Sequence, residues 1–168
     1  MIYWFTGQPG AGKTTLAYEL KNRIGGIHID SDDVRKSCGS FDYSEKGRRY
    51  YIPCIQDIAE QLTCYNVDVF VSMVAPYRDI REDLKRRADV VEIYLHTSEI
   101  RGREHFFIEN YEPPLKDFID IDTSNPIEAC IEIIMAAMGA ENETNSTQGQ
   151  YTGNEHGREP SNPYRKCT

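Results

Sequence analysis

The chain has 168 residues, 19 basic and 27 acidic, and a formal net charge of −8 at pH 7. This length suffices for one domain whose core needs no metal or disulfide staple, and the negative charge disfavours nucleic acid as a partner. Because no apolar run reaches the roughly 18 to 20 residues of a membrane span and the start does not resemble a signal peptide, we expect a cytoplasmic protein without a membrane partner.

Short apolar runs alternate with helical patterns along the chain. The predicted strands are "MIYWFT", "GGIHID", "DVFVSMV", "DVVEIYLH" and, more weakly, "FIDID". The predicted helices are "KTTLAYELKNRI", "YSEKGRRYYIPCIQDIAEQL", "PYRDIREDLKRRA" and "PIEACIEIIMAAM". Pro53 predicts a kink or a late start of its helix, and Pro76 is expected to open the next one. The alternation indicates an α/β fold of three layers, with a parallel sheet of about five strands covered on both faces.

Two segments interrupt this alternation. The stretch "HTSEIRGREHFFIENYEPPLKD" is charged and aromatic and ends in two prolines. We therefore predict a lid at about residues 97–117. Residues 140–168 contain almost no aliphatic side chains and are rich in Asn, Gly, Thr and Glu. Such a composition predicts a disordered polar tail after a folded domain of residues 1–139.

The first loop carries a phosphate-binding motif. "GQPGAGKTT" satisfies G-x-x-x-x-G-K-[ST] between a predicted strand and a predicted helix. Its backbone N–H groups and the helix dipole would hold a β-phosphate, Lys13 would reach the β- and γ-phosphates, and Thr14 would ligate Mg²⁺. The alternative is a glycine-rich turn without a ligand. The predicted nucleotide-binding residues are Gly7, Gln8, Pro9, Gly10, Ala11, Gly12, Lys13, Thr14 and Thr15.

Acids follow the second strand rather than the third. The GTP-binding motifs N-K-x-D and D-x-x-G do not occur, and the third strand ends "FVSMVAP" without the acid of most hydrolytic relatives. "HIDSDDVR" supplies Asp30, Asp32 and Asp33, followed by Arg35. Carboxyl ends of parallel strands share one crevice with the phosphate loop. A carboxylate there could accept the proton of an attacking hydroxyl. Alternatively, "SDD" only caps the next helix.

Five motifs together resemble the adenylylsulfate kinase family over about residues 2–138. They are "GQPGAGKTT", "IDSDDVR", "YSEKGRR", "VSMVAPYRDIR" and "YEPP…IDT", in that order. The family phosphorylates the 3′-hydroxyl of adenosine 5′-phosphosulfate (adenylylsulfate). The resemblance implies the P-loop NTPase fold of the nucleotide-kinase type, ATP as co-substrate with Mg²⁺, and adenylylsulfate as acceptor. A homodimer is one assembly that it allows.

The resemblance also implies roles for individual residues. Asp32 would be the base at the 3′-hydroxyl, and Asp30 would orient the acceptor or Mg²⁺, with Lys13 as the third catalytic residue. The residues implied to bind the acceptor are Arg35 and Arg48 at the phosphosulfate, Tyr43 at the adenine, and Ser72 and Met73 beside them. Each has an ordinary structural alternative, such as a solvated helix charge for Arg48 or half-buried packing for Tyr43.

The third-strand motif of the family continues into two arginines. Arg78 and Arg81 match them in this sequence. Since both lie within the charged helix "RDIREDLKRR", we expect them to be surface salt-bridge partners of the neighbouring acids rather than ligands.

Three departures from the family concern the acceptor side. Tyr51 stands where the family has an asparagine, and Ala75 stands where it has a serine. The lid is compressed to "TSEIRGREHFFIENYEPP", without the lysine-rich run of the family. Arg101 and Arg103 are candidates for the missing charge, and Phe106 or Phe107 for the stacking ring.

The sequence therefore favours an adenylylsulfate kinase. A second hypothesis keeps the kinase but changes the acceptor to another nucleotide, a sugar alcohol or a nucleic-acid hydroxyl. A third is a non-catalytic nucleotide-binding module. The presence of Lys13, Thr14, Asp30 and Asp32 together argues against the third, since a pure binder has little use for a metal-and-base set.

Overall fold

A computed structural model describes residues 1–146, with side chains described through residue 139. In chain order the elements are β1 (Ile2–Thr6), α1 (Lys13–Ile24), β2 (Ile27–Asp30), α2 (Ser31–Cys38), α3 (Glu45–Thr63), β3 (Val69–Ser72), α4 (Arg78–Arg87), β4 (Val90–His96), a short 3₁₀ helix (Glu104–Phe106), β5 (Phe118–Asp122) and α5 (Ile127–Ser146). The predicted strands and helices are confirmed, and α2 is an additional helix formed by the acidic segment.

The five strands form one parallel sheet in the order β2-β3-β1-β4-β5. On one face, Phe5 and Leu95 pack against α1 and α5. On the other face, Trp4 and Val71 pack against α3 and α4. Apolar residues run along the strands because both faces are covered, as a parallel sheet requires. The predicted three-layer α/β fold is confirmed.

Some helix bounds differ from the predicted ones. Helix α3 begins at Glu45, capped by Ser44, and runs through Pro53, so a late start at the proline is wrong. Helix α4 begins at Arg78 with Tyr77 as its N-cap, and Pro76 therefore lies before the helix instead of opening it. Helix α5 continues to Ser146, beyond the predicted domain boundary. Residues 147–168 of the predicted tail lie outside the described residues.

The carboxyl end of the sheet brings five loops together. The phosphate loop follows β1, and helix α2 follows β2 directly. Gly7 allows the phosphate loop to approach β4, since its φ is +143° and a Cβ there would lie 2.2 Å from the Leu95 carbonyl oxygen. The segment predicted to be a lid follows β4, so it starts beside the phosphate loop. This edge is where the candidate site forms.

Candidate active site

The phosphate loop is built to hold an anion. Gly12 is the N-cap of α1 with a φ of 86° and makes no side-chain cap, so the first N–H groups of the helix remain available for a ligand. Lys13 Nζ donates to the Gln8 carbonyl oxygen at 2.8 Å. Burial lowers the pKa of Lys13 to about 8, although nearby Asp32 and Asp30 partly oppose this shift. The protonated form of Lys13 is therefore less stable, relative to the neutral amine, than it would be at an exposed position.

The nine residues predicted to bind nucleotide divide into two groups. Those that line the central cavity are Pro9, Gly10, Gly12, Lys13, Thr14 and Thr15. The other three have structural roles in this conformation. Gly7 lies against β4, Ala11 is buried in the core, and the Gln8 side chain contacts the lid.

Asp30 joins the phosphate loop to two strands. Its Oδ2 accepts hydrogen bonds from Thr14 Oγ1 at 2.7 Å and from Ser72 Oγ at 3.0 Å, and its Oδ1 accepts from the Asp32 backbone N–H at 2.9 Å. Partial burial opposes ionisation, but these hydrogen bonds outweigh it and lower the pKa of Asp30. Asp30 is therefore both the N-cap of α2 and an ionised group next to the threonine predicted to ligate Mg²⁺.

The two following acids point in different directions. The Asp32 carboxylate lines the cavity and accepts no hydrogen bond from any residue that the structure describes. Asp33 is exposed and forms an ion pair with Lys36 at 2.9 Å. The N-cap of α2 is Asp30, which precedes "SDD". Asp32 and Asp33 lie in the first turn of the helix, and of these two only Asp32 lines the cavity.

Arg35 is enclosed by two aromatic rings. Its guanidinium carbon lies 3.7 Å from the ring centroid of Tyr51 and 4.6 Å from that of Tyr43. Its Nη1 donates to the carbonyl oxygens of Ser40 at 3.3 Å and Asp42 at 3.1 Å. Arg35 is buried yet lines the cavity. Tyr43, predicted to pack on the adenine of the acceptor, is half exposed and lies against this arginine.

Tyr51 lies behind this arginine rather than in the cavity. Its hydroxyl donates to the Ser31 carbonyl oxygen at 2.8 Å, and burial raises the pKa of Tyr51 to about 12, so it stays a neutral donor. Sequence comparison with the family finds the substitution of asparagine by Tyr51 but not its partners. Of the two tyrosines in "RRYYIP", only Tyr51 faces inward. The helix periodicity was the only sequence signal that could have distinguished it.

Two arginines in the cavity lack partners. The side chains of Arg48 and Arg103 line a cavity of about 740 Å³ and make no hydrogen bond or ion pair within the described part of the chain. Ser72 and Met73 line it as well, so all five residues predicted to bind the acceptor surround the same space. The cavity therefore combines a phosphate loop, a carboxylate and two unpaired cations.

The lid residues have separate positions. Arg103 and Phe106 line the cavity, whereas Phe107 is exposed outside it. Arg101 also lies outside the cavity lining. Its Nη2 donates to the Thr123 carbonyl oxygen at 2.6 Å and to Glu99 at 2.7 Å, so its charge is already neutralised. Of the two candidates for the missing lid charge, only Arg103 faces the cavity.

Arg81 is not on the surface, and the surface salt-bridge prediction is wrong for it. It is 2% exposed, and its Nε donates to Glu92 Oε1 at 2.6 Å. Its Nη1 and Nη2 each donate at 2.5 Å, to the carbonyl oxygens of Ala75 and Glu112. An acid inside the apolar strand "VVEIYLH" was the available signal, because a buried carboxylate needs a cation.

Arg81 and its hydrogen-bond partners hold the loop after β3 in an unusual conformation. Ala75 has a φ of +39°, which is uncommon for a residue with a side chain. The neighbouring Pro76 carbonyl oxygen accepts from the Glu112 N–H at 2.9 Å. Arg78 adds a bond from its Nε to the Pro113 carbonyl oxygen at 2.8 Å, so it also bonds to the lid end rather than to the acids of its own helix.

The fold and the cavity define a P-loop kinase, since a phosphate loop and the ionised Asp30 border a space that is also lined by Asp32 and unpaired arginines. The family model for adenylylsulphate kinase matches residues 1–132. The chain therefore belongs to the adenylylsulfate kinase family.

Individual relatives agree with this assignment. The chain is 35% identical over 137 residues to the adenylyl-sulfate kinase of a Picosynechococcus species, a match covering 75% of this chain and 76% of the relative. It is 31% identical over 136 residues to the adenylyl-sulfate kinase of Vibrio cholerae, covering 73% of this chain and 63% of that relative, which is less than two thirds of its length.

A solved structure shares the fold. The APS kinase of Mycobacterium tuberculosis, in complex with AMPPNP and APS, superimposes with a TM-score of 0.71 at 18% sequence identity, covering 82% of this chain and 96% of the other. This likeness concerns the arrangement of strands and helices. No described helix is long and apolar enough to cross a membrane.

Proposed function

We propose that this protein transfers the γ-phosphoryl group of ATP to the 3′-hydroxyl of adenylylsulfate, giving 3′-phosphoadenylylsulfate and ADP, a step of sulfate assimilation in the cytoplasm. The observation that carries this proposal is the single cavity that joins the phosphate loop to the free carboxylate of Asp32 and to Arg48. The family to which the chain belongs supports the choice of acceptor.

The donor half holds the triphosphate of ATP. The loop N–H groups and the start of α1 bind the β-phosphate, and Lys13 leaves the Gln8 carbonyl oxygen to reach the β- and γ-phosphates. These contacts neutralise charge on the transferring group. Most of the catalysis of a phosphoryl transfer comes from such positioning and charge neutralisation.

The residues next to Lys13 fit Mg²⁺. Thr14 Oγ1 and Asp30 Oδ2 are hard oxygen ligands only 2.7 Å apart, and the lowered pKa of Asp30 keeps it anionic. Among the described residues there is no group of three His, Cys, Asp or Glu side chains that could hold a metal by itself. This agrees with an ion held mainly by substrate phosphates, one threonine and one aspartate. Bound Mg²⁺ would neutralise charge on the β- and γ-phosphates.

The acceptor half holds the nucleophile and its anionic tail. Asp32 accepts the proton of the 3′-hydroxyl while the new bond forms between that oxygen and the γ-phosphorus. The bond between the γ-phosphorus and the bridging oxygen breaks, and ADP leaves. Arg48 and Arg103 bind the phosphosulfate together with Arg35, which lines the same cavity, and Tyr43 and Phe106 border the adenine.

A coupled ADP-release assay with Mg²⁺ and ATP tests this function. We expect adenylylsulfate at micromolar concentration to stimulate ADP release well above the acceptor-free rate. Gluconate, shikimate and a 5′-hydroxyl oligonucleotide serve as control acceptors and should not stimulate it. Stimulation by one of these and not by adenylylsulfate would assign a different acceptor. Because the lid is short, we also expect measurable ADP release without acceptor.

The assembly is a separate question. A homodimer is the assembly we test for, by light scattering of the purified protein with and without ATP. A monomeric mass in both conditions would exclude a homodimer.

A further inference from the structure

The lid is fastened to the phosphate loop by the side chain of Gln8. Gln8 Nε2 donates to the Ile108 carbonyl oxygen at 2.9 Å, and the Ile108 N–H donates to Gln8 Oε1 at 3.0 Å. Both ends of the amide are therefore paired with the backbone of one residue that lies 100 positions further along the chain. Two partly buried hydrogen bonds from one planar group fix orientation as well as distance.

The next turn of the phosphate loop also contacts the lid. Gly10 has a φ of +84°, and a Cβ there would lie 3.0 Å from the Cβ of Arg103. Arg101 Nη1 donates to the Gly10 carbonyl oxygen at 3.2 Å. The lid therefore rests on Gln8 and Gly10, and the absence of a side chain at Gly10 permits this close approach.

The docked segment reaches the acceptor side of the cavity. Ile108, Arg103 and Phe106 line the same space as Asp32, and Pro9 and Gly10 line it from the phosphate loop. A shift of Ile108 would move this wall of the cavity. The position of the lid relative to the phosphate loop thus determines the shape of the space in which an acceptor lies.

We infer that Gln8 is a positioning residue that docks the compressed lid onto the phosphate loop before either substrate binds. Without a lysine-rich run, the lid has fewer charges through which a bound ligand could order it. The Gln8 hydrogen bonds order the lid in advance, so they lower the entropic cost of binding the acceptor. The identity of the acceptor rests on the proposed function, whereas the docking of the lid does not.

Limited trypsin digestion of the substrate-free protein tests the docking directly. Gln8→Leu removes both hydrogen bonds at nearly constant size, so the undocked population should rise on the order of 10- to 30-fold. Cleavage after Arg103, followed by mass spectrometry, should accelerate by a similar factor when it tracks that population. Gln61→Leu makes the same chemical change at an exposed position of α3 and should leave the rate unchanged.

A second variant separates a loss of docking from a folding defect. Gln8→Glu keeps an acceptor for the Ile108 N–H but cannot donate to its carbonyl oxygen, so its lid cleavage should lie between wild type and Gln8→Leu. Thermal unfolding identifies any variant that has lost the fold. Wild-type cleavage rates in folded Gln8→Leu and Gln8→Glu would overturn the inference.

Steady-state kinetics gives the functional readout. In Gln8→Leu we expect the KM for adenylylsulfate to rise about threefold, because only the docked fraction binds the acceptor well, and we expect no significant change in the affinity for ATP, which loop N–H groups bind. An equal loss for both substrates would show a general role in the loop and overturn the coupling to the acceptor. If wild type does not use adenylylsulfate, the proposed function fails, while the digestion experiment still decides the docking.

Discussion

Tyr51 and Arg35 form a stacked pair, with the guanidinium carbon 3.7 Å from the ring centroid. Through its hydroxyl, Tyr51 also holds the Ser31 carbonyl oxygen at 2.8 Å. Ser31 lies between Asp30 and Asp32, so one side chain supports both an arginine at the cavity wall and the turn that presents the two aspartates. Tyr51, which stands at the family's asparagine position, therefore contacts the cavity only indirectly, through Arg35 and Ser31.

Tyr51→Asn should weaken the acceptor site without affecting the donor site. Losing the ring and the Ser31 contact frees Arg35, and we expect the KM for adenylylsulfate to rise about tenfold, corresponding to the loss of one stacked cation–π contact of about 1 to 2 kcal/mol. Tyr51→Phe keeps the stack, so it should lower the free energy of unfolding by about 1 kcal/mol with little effect on KM. Equal losses of ATP and acceptor affinity in Tyr51→Asn would contradict this division.

Asp32→Asn should abolish most of the transfer and preserve ATP binding. An amide cannot accept the proton of the hydroxyl, and general base catalysis contributes about 10²- to 10⁴-fold. Single-turnover measurements with saturating ATP and adenylylsulfate give this rate, and calorimetry gives the ATP affinity. Asp33→Asn is the matched control, since Asp33 is exposed and paired with Lys36. Comparable turnover in both variants would exclude Asp32 as the base.

Arg48→Ala should raise the KM for adenylylsulfate by roughly 10- to 100-fold, because a charge-assisted contact to an anionic group contributes about 1.5 to 3 kcal/mol. Arg49 is the neighbouring control, with its guanidinium bound to Glu45 at 3.0 Å and Asp79 at 2.9 Å. Arg49→Ala should leave both substrate constants near wild type. If the two variants behave alike, Arg48 is an ordinary solvated helix charge.

ATP binding should weaken as the pH rises above 8. The pKa of Lys13 is lowered by burial to about 8 in the free protein, so Lys13 carries its charge at pH 7 and loses it as the pH passes that value. At pH 9, ATP binding must therefore be coupled to proton uptake, and Kd should rise about tenfold per pH unit. Calorimetry in two buffers of different ionisation enthalpy measures this uptake, with Lys13→Met as the control. A constant Kd from pH 7 to 9 would refute the shifted pKa.

Arg81→Met should destabilise the protein by about 3 kcal/mol, the lower end of the range for breaking a buried ion pair, because Glu92 loses its arginine but keeps its ion pair with Lys85. Arg81→Met combined with Glu92→Leu removes both charges and should recover part of this loss. Urea unfolding measures Arg81→Met, Glu92→Leu and the double variant. If the double variant is as unstable as the sum of the two single ones, the two side chains are not energetically coupled.

The parts of the fold and site that the sequence predicted depend on local patterns. The period of apolar residues predicted the strands, and the phosphate-loop motif predicted Lys13 and Thr14 from a few adjacent positions. Asp30 and Asp32 followed from their position after β2, because a parallel sheet gathers the carboxyl ends of its strands.

The parts that were missed depend on long-range contacts. Arg81 bonds to residues 6, 11 and 31 positions away, so its charged helix predicted a surface role while the tertiary structure buried it. Gln8 and Ile108 are 100 positions apart, and neither belongs to a motif that predicts their pairing. Composition predicted a lid at residues 97–117 but did not distinguish Arg101, which bonds to Thr123, from Arg103, which faces the cavity.

The backbone conformation of Ala75 has a consequence for engineering. A residue with a side chain at a φ of +39° stores strain of order 1 kcal/mol, which persists only where surrounding bonds enforce it. Ala75 also lines the cavity. Ala75→Gly should relieve this strain and raise the melting temperature, while giving the cavity wall more freedom. At this position, thermostability and acceptor selectivity are therefore expected to change in opposite directions, and selection for heat resistance alone would favour the less selective enzyme.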